Sequence, residues 1–289
     1  MDAIAGRIAR AEDAWTAGSY AEVAAELGPC LDDADAWAAL AAAPERASEL
    51  VYRAAISALQ VGDVDDSARW FAHIPDSWPV PGAIRRGQAQ VHLVRGELDA
   101  VDELLDLGPE AEPSDLAIAL SAAGRRGDAA AVQALGARAF EAIESAAMHP
   151  WTLADLNLLV GEALVETGDG TKAMVTANNA LDLLAGAPED LATRGVAWIV
   201  AAGAYRLHGD LDEADRALSQ EWDLIERTPG DLGRAQREAG RCYLAAGHPA
   251  EAGRWFALAA ASFDAAGDRW LAGRARDECD EATRRAADG

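Results

Sequence analysis

Arg234, Arg237 and Arg241 stand three and four residues apart in the run PGDLGRAQREAGRCYLAAG, the spacing that stacks side chains on one face of a helix. Three guanidinium groups in such a row form a positive strip suited to carboxylates, because each presents a planar fork of donors. Arg206 occupies a nearby register in the preceding segment. The chain carries 25 Lys plus Arg against 49 Asp plus Glu, a formal net charge of -24, so the strip lies in a field that repels unsuitable anions. Two outcomes are open. Lining a groove, the four arginines would bind an acidic peptide or a carboxylate-bearing ligand. Alternatively, Glu238 and acids of neighbouring helices neutralise them as surface ion pairs.

Other residue groups point to no chemistry of their own. His73, His92, His149, His208 and His248 show no mutual ligand spacing, and a metal site needs such convergence. Asp63, Asp65 and Asp66 lack the Gly and terminal Glu of a calcium loop and read as first-turn acids favoured by a helix dipole. The GDGTK run at Gly168 to Lys172 has phosphate-loop letters in the wrong order and follows a helix, not a strand. There is no G-x-S-x-G elbow and no spacing-supported Cys-His-Asp set. No catalytic residue, metal or cofactor is assigned. Among the nine tryptophans, Trp78 and Trp151 stand beside prolines and are the best candidates for exposed contacts.

The elements that hold the arginines are written twice between Gly195 and Phe263. A helical run ends in Gly, a tight polar turn follows, and a second run opens with Glu-Ala. Aligning Gly209 with Gly247 matches Tyr205 to Tyr243, Glu213 to Glu251 and Ala214 to Ala252. Gly ends the first helix because it enters the left-handed conformation cheaply. Small residues, Ala202 or Gly240 opposite Ala214 or Ala252, let the two helices approach closely. This pattern resembles the tetratricopeptide repeat (TPR). Trp198, Ala202, Tyr205, Gly209 and Ala214 fall on its signature positions in one copy, and Gly240, Tyr243, Gly247, Ala252, Phe256 and Ala259 in the other, with Gln236 in place of the Trp.

Earlier turn glycines extend the array: Gly18, Gly62, Gly96, Gly127 and Gly168, with successive intervals of 44, 34, 31, 41, 41 and 38 residues through to Gly247. The expected fold is therefore all-α, an α-solenoid of about seven degenerate TPR-like helical hairpins with a C-terminal capping helix. One solenoid is expected over 1–289: N-terminal repeats with an extra short helix over 1–75, degenerate middle repeats over 76–150, the clearest repeats over 151–266 and the cap over 267–289. Helices are expected from Asp2 to Ala17, Tyr20 to Leu27 with Ser19 as N-cap, Asp32 to Ala42, Pro44 to Val61, and Asp63 to His73. After the helix-breaking run IPDSWPVPG, they resume from Ala83 to Arg95, Leu98 to Leu107, Ser114 to Arg126, Ala129 to Ala147, Trp151 to Thr167 and Thr171 to Leu184. The polar run Arg269 to Ala286 reads as the cap. The segment LAAASFDAAGDRWLAGRARDECDEA is also similar to the C-terminal repeats of MalT-like bacterial regulators. The phosphate-binding loop and basic recognition helix of those regulators have no counterpart here, so only the repeat architecture is implied.

Composition narrows the role. The chain has 289 residues, 51% of them hydrophobic and only 6% aromatic, which favours closely packed helices. Its acidity argues against direct nucleic-acid binding. Cys30, Cys242 and Cys279, odd in number and far apart, fit a reducing compartment. With no signal-peptide pattern and no apolar run near the roughly 18 residues that span a bilayer, the expected location is the cytoplasm, away from membranes. The function expected is a non-enzymatic scaffold or adaptor whose concave groove binds a protein or peptide. The alternatives are a sensor or assembly component of a bacterial regulatory system, and an enzyme whose solenoid encloses a small-molecule pocket.

Overall fold

Each of the seven turn glycines takes a positive φ, between 71° and 87°, and Gly267 joins them at 71°. That region is costly for residues with a Cβ. The residue after the glycine donates its N–H to the carbonyl five positions back: Asp63 to Ala58 at 2.8 Å, Asp210 to Tyr205 at 3.0 Å and His248 to Tyr243 at 2.9 Å. This closes the first helix of each hairpin with the six-to-one bond of a Schellman motif. In the Gly-Asp turns the aspartate then starts the second helix. The side chains of Asp63, Asp169 and Asp210 accept from the N–H three residues on, as do those of Asp128 and Asp268. Ser19 holds the N-cap position, but its hydroxyl makes no capping bond.

The computed structural model describes all residues except 1, 76, 77, 79–81, 106, 110, 146–149, 187–190, 221–228 and 289. Among those described every regular element is a helix, and none is long and apolar enough to cross a membrane. The chain divides into two compact units, Met1–Leu105 and Asp106–Gly289.

The first unit holds α1 (Asp2–Thr16), α2 (Tyr20–Asp32), α3 (Ala34–Ala41), α4 (Pro44–Gln60), α5 (Val64–Phe71), α6 (Gly82–Arg95) and α7 (Leu98–Leu104). Its core is built from large side chains, including Leu27, Leu31, Leu50, Trp70, Phe71 and Ile84. The sequence suggested that α2 would stop at Leu27, before Gly28-Pro29; instead it runs to Asp32 with Pro29 inside. Proline disfavours helix in the preceding residue through that residue's Cβ, and Gly28 has none. The same absence admits the Trp70 ring, which would lie 2.5 Å from a Cβ added there. Trp78, read as an exposed contact, is instead half-buried and packs against this core, 6.0 Å from the Trp37 ring centroid. The rest of IPDSWPVPG beyond Pro75 and Trp78, apart from Gly82, lies outside the described residues, as do the Ala147 end of one expected helix, His149 and the side chain of Trp151.

The second unit holds α8 (Pro113–Arg126), α9 (Ala129–Ser145), α10 (Pro150–Thr167), α11 (Gly170–Leu184), α12 (Leu191–Leu207), α13 (Leu211–Ser219), α14 (Pro229–Ala245), α15 (Pro249–Ala265) and α16 (Arg269–Asp288). Each hairpin packs its two helices together, and the first helices α8, α10, α12 and α14 also touch in succession. Alanine makes this possible: Ala117, Ala163, Ala177 and Ala204 are among the buried residues of the largest cluster. A Cβ on Gly124 would come within 2.8 Å of the Ala163 Cα. Ala202 and Ala214 are both fully buried in one cluster, and the Phe256 ring lies where a Gly240 side chain would be. The cap α16 packs on α15 through Leu271, Ala272 and Ala275.

Candidate functional site

Close packing of the first helices leaves their charged residues on a shared polar face. Counted back from the turn glycine, Arg241 and Glu162 both stand six residues away, Glu166 and Arg125 two, Arg206 three, Arg237 ten and Arg234 thirteen. These steps of three and four residues keep them on one side of their helices.

Arg237 and Arg241 lie one turn apart on α14, and each grips the same two carboxylates. Glu166 arrives from α10, and Glu278 from α16. Arg237 donates from Nη1 and Nη2 to Glu166 at 2.9 and 3.3 Å, and from Nε and Nη2 to Glu278 at 2.7 and 3.0 Å. Arg241 donates from Nη1 and Nη2 to Glu166 at 2.9 and 3.0 Å, and from Nε and Nη2 to Glu278 at 3.1 and 2.9 Å. The result is a neutral square of two cations and two anions, each carboxylate held by two forks. Only 5% of the Arg237 side chain and 16% of that of Arg241 is exposed.

Burial pushes the Glu166 carboxyl up, but the Arg241 and then the Arg237 guanidinium outweigh it and hold the group well below the usual carboxylate range. Glu278 is lowered by the same balance, again with burial opposing. Burial works against the charge of Arg241, yet Glu166, Glu278 and Glu238 raise its pKa well above the ordinary value.

The remaining two expected site residues are also paired. Arg234 contacts Glu162 of α10 at 2.7 Å and Asp231 at 3.4 Å, and Glu162 is the main reason its pKa is raised. Arg206 on α12 bonds Glu238 of α14. The structure thus brings Arg206, Arg234, Arg237 and Arg241 onto one face and supplies each with a carboxylate. These acids are largely interhelical and partly or wholly buried, unlike the surface pairs considered for the stripe. Missed in the sequence were Glu162, Glu166 and Glu278; the register count from the turn glycines was the signal that could have grouped the first two with the arginines.

Beside the square a cleft of about 520 Å³ opens among Glu166, Gly168, Arg206, Leu207, Arg241 and Arg285. Arg285, on the last turn of α16, is 58% exposed and bonds Glu281 four residues earlier at 2.8 Å. The nearby Cys242 thiol is pushed up to about 12, by burial first and Glu238 second, so it has no thiolate character at neutral pH. Among the described residues no group of three or more His, Cys, Asp or Glu is placed to hold a metal ion.

Stacked helical hairpins, left-handed turn glycines and a terminal cap define a TPR-like α-solenoid. No protein-family model matches the chain, and no curated protein matches it in sequence. Among solved structures, a tetratricopeptide repeat protein from Parabacteroides merdae superposes with a TM-score of 0.57 at 13% identity, covering 98% of this chain and 100% of that one. A Rap protein complexed with Competence and Sporulation Factor gives 0.57 at 14% identity, over 84% of this chain and 75% of the other. Both likenesses carry the fold.

Proposed function

We propose that this chain is a non-enzymatic, cytoplasmic scaffold that docks a protein or peptide on the first-helix face of its C-terminal unit. The observation that carries this reading is the concentration of charge on that face. Arg206 and Arg241 line an open cleft there, with Arg234 and Arg237 further along the same face, within a chain of formal net charge -24. An acidic segment of the partner suits this cleft by meeting the exposed Arg285 and exchanging for the carboxylates that now hold Arg206 and Arg241. The fold supports the reading too, since a solenoid's repeated hairpins create an extended concave surface. The Rap neighbour was solved with a bound factor, an analogy of fold that carries no residue across at 14% identity.

A photo-crosslinking amino acid placed at Arg285, on the cleft, is compared with one at Arg216, on the second helix α13, where the side chain is 66% exposed. Captured from native cell extract, a partner docked on the first-helix face crosslinks from position 285 and not from 216. Equal crosslinking from both positions, or from neither, contradicts the reading.

A further inference from the structure

In a solenoid each repeat ordinarily contacts only its neighbours, yet α16 bonds directly to α8, well before it in the chain, and meets α10 through arginines of α14 that both share. At its N-cap, Asp268 receives both terminal nitrogens of Arg125 of α8, at 3.2 and 2.8 Å, across 143 positions of sequence. These side chains are only 10% and 9% exposed. The Arg125 guanidinium also stands over the Trp270 ring, 5.2 Å from its centroid, with Arg274 at 5.7 Å from the same ring. Nearly three turns along, Glu278 shares Arg237 and Arg241 with Glu166 of α10. Arg234, between them on α14, pairs with Glu162 of α10, and its pKa is raised by Glu162 first, with Asp231 and Asp268 adding to it.

The apolar side of α16 is already committed to α15. Its acidic side is therefore free to set how far the first helices curl towards one another. The geometry points to a clasp: the Arg125–Asp268 pair, together with the Arg237, Arg241, Glu166 and Glu278 square, holds the first-helix face of this unit closed, and parting Arg125 from Asp268 opens it. The square alone cannot fix the closed form, since it reaches only α10, whereas Arg125 ties in α8. On the scaffold reading above, a partner that docks on this face does so by displacing the clasp. The clasp itself stands on the unliganded geometry and needs no partner to be tested.

Arginine modification by phenylglyoxal, read residue by residue by mass spectrometry on the full chain, reports the closure directly. In the wild type Arg237 reacts far more slowly than Arg216, which is 66% exposed. Arg125→Met removes the charge but keeps an apolar stem against Trp270. Asp268→Asn keeps a good N-cap for Leu271 while removing the counter-charge. Each substitution raises the reactivity of Arg237 and Arg241 by about tenfold, the effect of losing a charge-assisted pair from a local opening equilibrium, with the helical circular dichroism unchanged. Arg237 still protected in a folded Asp268→Asn variant overturns the clasp, and that variant decides alone if Arg125→Met fails to fold.

Discussion

The two units place charge and bulk in opposite ways. Met1–Leu105 fills its centre with Trp70, Phe71, Leu27 and Leu50 and keeps its ion pairs at the surface, as in Arg10–Glu26 with the Arg10 side chain 60% exposed. Asp106–Gly289 fills its largest core mainly with alanine, valine and leucine and buries ion pairs between helices distant in sequence. The lesson is geometric. Thin alanine contacts bring first helices close enough for charged side chains on their shared face to meet across them, and meeting there removes those side chains from water. Surface pairs contribute little to stability, while a broken buried pair leaves an uncompensated charge.

The largest expected effect is therefore in the second unit. Glu166→Ala leaves Arg237 and Arg241 to share Glu278, and chemical denaturation should show a loss of about 2–4 kcal/mol, somewhat below the figure for fully buried pairs because 19% of the Glu166 side chain is exposed. A loss no larger than that of an ordinary surface pair would erase the contrast between the units. Ala214→Leu should cost about 1–3 kcal/mol by overpacking, since Ala214 is fully buried against its hairpin partner α12. Unchanged stability would show that the alanine contact is not tight.

Acid sharpens the same comparison by a smaller margin. Glu166 and Glu278 have folded-state pKa values below their ordinary value of 4.5. Their contribution is therefore complete above the unfolded pKa and is lost as pH falls from there towards the depressed folded values. Denaturation midpoints measured from pH 7 down to pH 3 should fall more steeply below about pH 4.5 for the wild type than for Glu166→Gln, which has no carboxylate to protonate at that position. Parallel profiles would contradict the assignment.

What was legible in the sequence follows from the range of each interaction. Turn glycines and the small residues five to seven positions either side of them are local requirements of a hairpin, so Gly18 through Gly247 could be placed before any coordinates. Gly267, in DAAGDRW, obeys the same rule and opens the helix expected as the cap. The arginine stripe was visible as helical spacing on α14. Its partners were harder to see: Glu166 and Glu278 lie 71 and 41 positions from Arg237, and although the register from the turn glycines puts Glu166 on the same face, the pairing itself, and Glu278 altogether, are chosen by the curl of the stack. The Arg125–Asp268 pair was hidden for the same reason. The end of α2 was not legible either: the helix runs past Leu27 and through Pro29, because Gly28 has no Cβ to meet the proline ring.

Paired double-mutant cycles test most directly the claim that charges distant in sequence are coupled in the second unit and only loosely paired at the surface of the first. One cycle combines Glu166→Gln with Arg241→Met; the other combines Glu26→Gln with Arg10→Met. Denaturant unfolding should give a coupling of about 1–3 kcal/mol between Glu166 and Arg241, and none above experimental scatter between Glu26 and Arg10. Additive behaviour of Glu166 and Arg241 would contradict the buried square and the closed first-helix face built on it.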